Sequence, residues 1–213
     1  MTDHSQAIKI ANLMCSRLCH DLISPVGAVS SAVELLQEEI GGVDPEVLGL
    51  MSRSAQESTA KLAFFRAAFG DGGGKDAQIS SDHLHTLSSG VVPAGKISLQ
   101  WDADSDQNLP NHAGKLLLMF VVLAVDALPR GGAIMVKIHA LEDGTGMACI
   151  AEGPGANLKE GTATALSESL DYSQLTSRDV TAHYAHLLAS SANIVIETSS
   201  DEGAVMLAGL LSA

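Results

Sequence analysis

Cysteine is scarce in this chain, with three in 213 residues, and an odd number does not make a disulfide framework, so a small cross-linked secreted scaffold is excluded. Basic residues are also few: 12 Lys and Arg stand against 25 Asp and Glu, a formal net charge of −13. Binding to a phosphate backbone needs clustered cations, so nucleic acid is not an expected partner. The longest uninterrupted apolar run, Leu116 to Val125, has ten residues, about half of what a membrane span requires. No basic leader with an apolar segment behind it opens the sequence, and no repeat or low-complexity tract follows. With hydrophobic residues at 46% the chain is nevertheless rich enough to fold. Its length suits one large domain or two small ones. These traits lead to the expectation of a soluble cytoplasmic protein with no membrane contact.

What is present begins with helical periodicity. Between residues 5 and 40, Ile8, Ala11, Cys15, Leu18, Leu22, Val26, Val29, Val33, Leu36 and Ile40 recur at steps of three and four, one apolar stripe on a long helix. Gly41-Gly42 stops it. Asp44 and Pro45 suit the N-cap and first turn of a second helix, whose stripe runs through Val47, Leu50, Met51, Leu62, Phe65 and Phe69 to Gly70. A lone antiparallel hairpin cannot cover both stripes, so residues 1–70 are expected to pair with a second copy as a four-helix bundle homodimer.

Residues 71–77, with Gly72-Gly73-Gly74 at their centre, have the composition of a linker. Residues 78–213 change to a mixed pattern: a short helix over 82–89, a strand over 96–102 with Ile97, Leu99 and Trp101 facing a core, and an apolar helix over 110–128. Strands follow over 133–141 and 147–151, then a helix near 178–190 and strands near 193–198 and 204–211. The fold class is thus α+β: an N-terminal helical hairpin, then an α/β sandwich with a mixed sheet covered by helices on one face.

The segment with most chemistry is Arg17-Leu18-Cys19-His20-Asp21-Leu22-Ile23-Ser24-Pro25. His20 stands two residues from Leu18 and from Leu22, so it points about 160–200° away from the apolar stripe. Pro25 interrupts a continuous helical pattern at a cost of roughly 3 kcal/mol, and the hydrogen bond it removes is the one to the Asp21 carbonyl beside His20. Arg17 at i−3 and Ser24 at i+4 share the face of His20, placing a cation and a hydroxyl near the imidazole.

His20, Asp21, Leu22 and Pro25 together resemble the phospho-acceptor box of two-component histidine kinases, although Ile23 stands where a basic residue is usual. The wider stretch from His20 to Ala28, with Glu34-Leu35-Leu36, is closer to the ChpT-type histidine phosphotransferases. That resemblance implies a dimeric phosphorelay intermediate with a helical hairpin and a degenerate kinase-like C-terminal domain. His20 would be the phospho-acceptor, Asp21 would orient the imidazole, Ser24 would bond a phosphoryl oxygen and Arg17 would offset its charge. The partners it implies are the receiver domains of a hybrid histidine kinase and of response regulators, and Mg²⁺ would arrive with the receiver rather than be bound by this chain.

Whether the second half still binds ATP is decided at three places. Asp126 stands where the kinase family has a Mg²⁺-holding Asn. The family's adenine-binding Asp lies two residues before a Gly-x-Gly turn; the turn survives as Gly153-Pro154-Gly155, but Ala151 occupies the earlier position and offers no acceptor. Residues 174–180 correspond to the glycine-rich loop over the triphosphate and contain no glycine, although close backbone approach to phosphate favours glycine. No bound cofactor and no metal are therefore expected. Two other readings stay open: an ATP-dependent sensor kinase core, and a non-catalytic dimerisation module that holds receivers. Cys15 with Cys19, His83 with His85, and His183 with His186 have ligand-like spacings, but a free core thiol and solvent-facing histidines are the expected roles, and Trp101 is expected in the sheet core.

Overall fold

The computed structural model describes residues 3–38, 44–70, 77–104, 107–167 and 170–212. Ile40, Gly41-Gly42 and nearly all of the linker lie outside these residues. Helix α1 (Asp3–Glu38) and helix α2 (Pro45–Phe69) are the two arms of the hairpin. The second arm starts where the sequence placed it: the Asp44 side chain accepts from the Glu46 backbone N–H, with Pro45 in the first turn. At its end the Gly70 N–H bonds the Arg66 carbonyl.

The apolar stripe of α1 divides into two strips. Leu18, Leu22, Val29 and Leu36 are half-buried, and Pro25 and Ala32 are fully buried along the same side of the helix. Ile8, Cys15, Val26 and Val33 stand exposed on a neighbouring strip. Heptad-like spacing is wider than one contact line, and α2 covers only part of it. On α2, Phe64 and Ala68 are buried while Leu48 and Leu62 are exposed.

The second unit is a five-stranded mixed sheet in the order β2-β4-β5-β7-β6. Strand β2 (Ile97–Ala103) runs parallel to β4 (Gly132–Leu141), and β4 with β5 (Gly144–Glu152), β5 with β7 (Ala204–Ser212) and β7 with β6 (Ile196–Asp201) are antiparallel. Ile134, Val136, Ile138, Met147, Cys149, Ala151, Val205 and Leu207 point to one face and are buried. Helix α4 (Asn111–Asp126) crosses that face with α6 (Val180–Ser191) beside it. The sequence of α4 is apolar around its whole circumference, and ten of its side chains or Cα positions are buried, as a helix enclosed on all sides requires. The glycines of the exit turn allow a close crossing: a Cβ on Gly153 would lie 2.3 Å from the Gly131 carbonyl oxygen.

Three elements are not evident in the periodicity. Strands β1 (Gln78–Ser80) and β3 (Asn108–Pro110) make a two-stranded ribbon, and α5 (Glu160–Ala165) is a single short helix. The short helix expected over 82–89 is α3 (Ser81–Ser89), capped by the Ser80 hydroxyl. Trp101 is only half-buried, because β2 is an edge strand. Its indole N–H donates to Ser81 Oγ at 2.9 Å and its ring stacks on His85. His183 departs from expectation in the opposite sense: it is 2% exposed rather than facing water. Tyr172 meets it edge-on and His186 stacks alongside.

Candidate functional site

Helix α1 passes through Pro25 without interruption, and Pro25 is buried. The carbonyl that Pro25 leaves without a backbone donor belongs to Asp21, and Lys61 of α2 supplies one instead, Nζ donating at 3.1 Å. A charge-assisted bond to that carbonyl offsets much of the proline cost. It also pins the backbone one residue after His20. Glu57 holds the same ammonium at 2.7 Å, so Lys61 is oriented from both sides.

His20 is 85% exposed. Its Nδ1 lies 3.1 Å from Asp21 Oδ1. A carboxylate can only accept, so in the neutral ring the proton sits on Nδ1 and the lone pair on Nε2. Arg17 does not turn toward the imidazole as its sequence position suggests. Its Nε donates to Asp21 Oδ2 at 2.9 Å, and its Nη2 donates to both carboxylate oxygens of Asp126 at 3.0 and 3.1 Å. Ser24 is exposed on the next turn.

Burial opposes the Arg17 charge, but Asp126 and Asp21 outweigh it and hold its pKa above the ordinary value. For Asp126 the balance falls the other way: burial raises its pKa more than Arg17 lowers it. The guanidinium therefore bridges the hairpin and the end of α4, and Asp126, read in the sequence as a remnant of a Mg²⁺ ligand, has both oxygens committed to a cation of the same chain.

A cleft of about 490 Å³ opens beside this bridge, lined by His20, Arg17, Asp126, Lys159, Thr162 and Arg178 among others. Lys159 and Arg178 are exposed, and neither stood out in the sequence, where each is an isolated cation. Ala151 does not reach the cleft. It pairs with Ile134 and Val205 in the sheet and is fully buried, while the Glu152 side chain points to the exposed face. Gly155 adopts φ +73° in its turn, with open space where a Cβ would stand.

Residues 174–179 form turns that lead into α6, with Leu175 buried. Thr176 Oγ1 donates to Asp179 Oδ2 at 2.6 Å, and Lys9 from α1 donates to the carbonyls of Tyr172 and Ser173 just before. Cys15 and Cys19 are free and exposed, so neither is the buried core thiol expected for Cys15. Cys149 is the buried one, and burial pushes its pKa up. Among the described residues no three or more His, Cys, Asp or Glu side chains form a group able to hold a metal ion, and no helix is long and apolar enough to cross a membrane.

Comparison with known proteins bears on this arrangement directly. A family model described as the histidine phosphotransferase C-terminal domain matches residues 81–204, more than half of the chain. The protein phosphotransferase ChpT of Brucella abortus (strain 2308) is 36% identical over 133 residues, which is 62% of this chain and 62% of the length of that relative. A 1.7 Å structure of a bacterial phosphotransferase superposes with a TM-score of 0.82 at 28% identity, covering 95% of this chain and 96% of the other. The catalytic domain of histidine kinase ThkA covers 64% of this chain and 95% of its own length with a TM-score of 0.50 at 12% identity, a likeness of fold alone. The α/β domain is thus matched in sequence and 95% of the chain in structure, and the chain belongs to the histidine phosphotransferase family.

Proposed function

We propose that this protein is a phosphorelay intermediate that carries phosphate between receiver-domain aspartates through phospho-His20. The observation that carries the reading is the placement of His20: exposed, with its Nδ1 hydrogen held by Asp21 and its Nε2 lone pair free. In the forward step Nε2 attacks the phosphorus of a receiver aspartyl-phosphate, the P–O bond breaks, and the receiver carboxylate leaves. The positive charge that develops on the ring is balanced by the Asp21 carboxylate. The same step run in reverse delivers the phosphoryl group to the Asp of a second receiver. Transfer of this kind has a loose transition state, so positioning and charge stabilisation dominate catalysis. Ser24, exposed one turn on, would bond a phosphoryl oxygen, and Lys159 and Arg178, which line the cleft with His20, would add positive charge.

Mg²⁺ in this scheme accompanies the acidic residues of the receiver, since the carboxylate of Asp126 is taken by Arg17. Transfer without ATP is supported by the buried methyl group at Ala151, by the glycine-free segment 174–180, and by the hold of Lys9 on the loop before it. The homodimer is supported by the exposed Ile8, Val26 and Val33 on α1 and the exposed Leu48 and Leu62 on α2. Donor and acceptor domains belong to a hybrid histidine kinase and to response regulators, and the setting is cytoplasmic.

The experiment is label uptake on His20, comparing labelled ATP alone with a phosphorylated receiver domain as donor. Uptake from the receiver only is expected, with none in His20→Ala while receiver binding persists. Uptake from ATP alone makes the protein a kinase, and binding without any uptake makes it a receiver-holding module.

A further inference from the structure

We propose that Asp126, a residue of the C-terminal domain, is a positioning residue for His20: by occupying one end of the Arg17 guanidinium it leaves Asp21 an oxygen with which to hold the imidazole. The contacts form one line from α4 to the nucleophile, with Asp126 on Arg17 Nη2, Arg17 Nε on Asp21 Oδ2, and Asp21 Oδ1 on His20 Nδ1. An unconstrained Arg–carboxylate pair favours the side-on fork, in which Nε and Nη2 take both carboxylate oxygens at once. Here the fork is split. Nη2 goes to Asp126, so Arg17 holds Asp21 through Oδ2 only. Oδ1 is what remains for the imidazole, and that bond places the ring proton on Nδ1 and the lone pair on Nε2.

Arg17 therefore acts with two anions or with one. With two, Asp21 Oδ1 is left to the histidine alone; with one, the guanidinium closes on both oxygens and Nη2 competes with the imidazole for Oδ1. The residue that stands at the Mg²⁺-ligand position of the kinases would in this chain set the tautomer of the phospho-acceptor, which gives the C-terminal domain a part in the reaction without nucleotide. The inference rests on the phosphotransfer reading only for what that tautomer is used for.

The test uses the full chain labelled with ¹⁵N. Long-range ¹H–¹⁵N spectra report which ring nitrogen of His20 carries the proton, with His20→Gln as the blank that assigns the signal. The native chain is expected mainly in the Nδ1–H form. Asp126→Ala is expected to shift His20 toward the Nε2–H form that a free neutral imidazole prefers, and to slow phosphorylation of His20 by inorganic phosphoramidate about tenfold, as loss of one charge-assisted bond to the ring implies. Asp126→Glu, which still reaches Nη2 across the open cleft, is expected to restore both.

An unchanged tautomer ratio in Asp126→Ala overturns the proposal, whatever happens to the melting temperature, because Asp126 is then only a contact between domains. Failure of Asp126→Glu to restore the ratio overturns it as well. A tautomer shift as expected, in a chain that takes no label from a phosphorylated receiver domain, upholds the positioning role and removes the phosphotransfer reading instead.

Discussion

Helices α1 and α4 are both strongly apolar in places, yet the fold uses them in opposite ways. Helix α4 has 16 residues and buries ten of them, whereas α1 has 36 and fully buries only Pro25 and Ala32. The sheet, α6 and the hairpin enclose α4 within a single chain. Helix α1 packs one strip on α2 and leaves Ile8, Val26 and Val33 in water. This exposed apolar strip is the observation behind the proposed homodimer. The comparison teaches that α4 is covered on every side within the chain, with Phe64 and Ala68 of the hairpin completing its core, while much of the helix carrying His20 is left open. Lys61, Arg17 and Asp126 then do for the site what packing does for the core: they fix side chains on an otherwise solvated helix.

The largest effect separates the two regions most directly. Phe120, fully buried in α4, has no second partner chain to compensate its loss. Phe120→Ala is expected to cost about 3–5 kcal/mol through lost burial and the cavity left behind, seen as a lower urea midpoint that does not move with protein concentration. An aliphatic truncation on the exposed strip, such as Val33→Ala, should leave the midpoint of dilute protein almost where it was. Equal costs at the two positions would erase the distinction drawn above.

A charge on the strip sharpens the comparison from the other side. In the dimer reading Val26 and Val33 face a second hairpin, and burying two carboxylates per protomer there is prohibitive. Val26→Asp with Val33→Asp is expected to weaken association by at least about a hundredfold, measured by sedimentation equilibrium, with the circular dichroism of the α/β domain retained. A native chain that sediments as a monomer at high concentration removes the reading before any substitution is made.

Much of this architecture was legible in the sequence, and the reason is locality. The arms of the hairpin, the Asp44-Pro45 start, α4 and the β4–β5 hairpin all announce themselves through periodicity or turn chemistry within a few residues. The exposure of His20 followed from the helical period as well. What escaped depends on residues far apart. The β1–β3 ribbon joins segments about thirty residues distant with three residues each, too short for a pattern. Arg17 appeared to flank His20 because only its own helix was in view, while its second partner lies 109 positions away. Lys61 carried a weak signal that might have been read: Pro25 orphans one named carbonyl, and some donor on the facing arm has to answer it. The split of the α1 stripe into two strips had no signal in the alternation of apolar residues, since both strips are apolar.

The smallest expected effect lies in the α/β domain and concerns a titratable side chain in its core. His183 is buried, and neither ring nitrogen makes a well-formed hydrogen bond among the described residues. Burial is the main reason its pKa falls below the ordinary 6.5, His186 lowers it further, and the backbone at Ala165 opposes this only in part. The unfolded chain thus takes up a proton on this residue near pH 6.5, while the folded chain does so only at lower pH. Between those two values the unfolded state binds more protons, so stability falls as pH falls and levels off once the folded form also titrates. His183→Phe keeps an aromatic ring against Tyr172 and removes the titration. Urea unfolding at a series of pH values is therefore expected to show a shallower loss of stability on the acid side in His183→Phe than in the native chain, with the two curves parallel above pH 7. Parallel curves for His183→Phe across the whole range would show that the acid sensitivity of the core resides elsewhere.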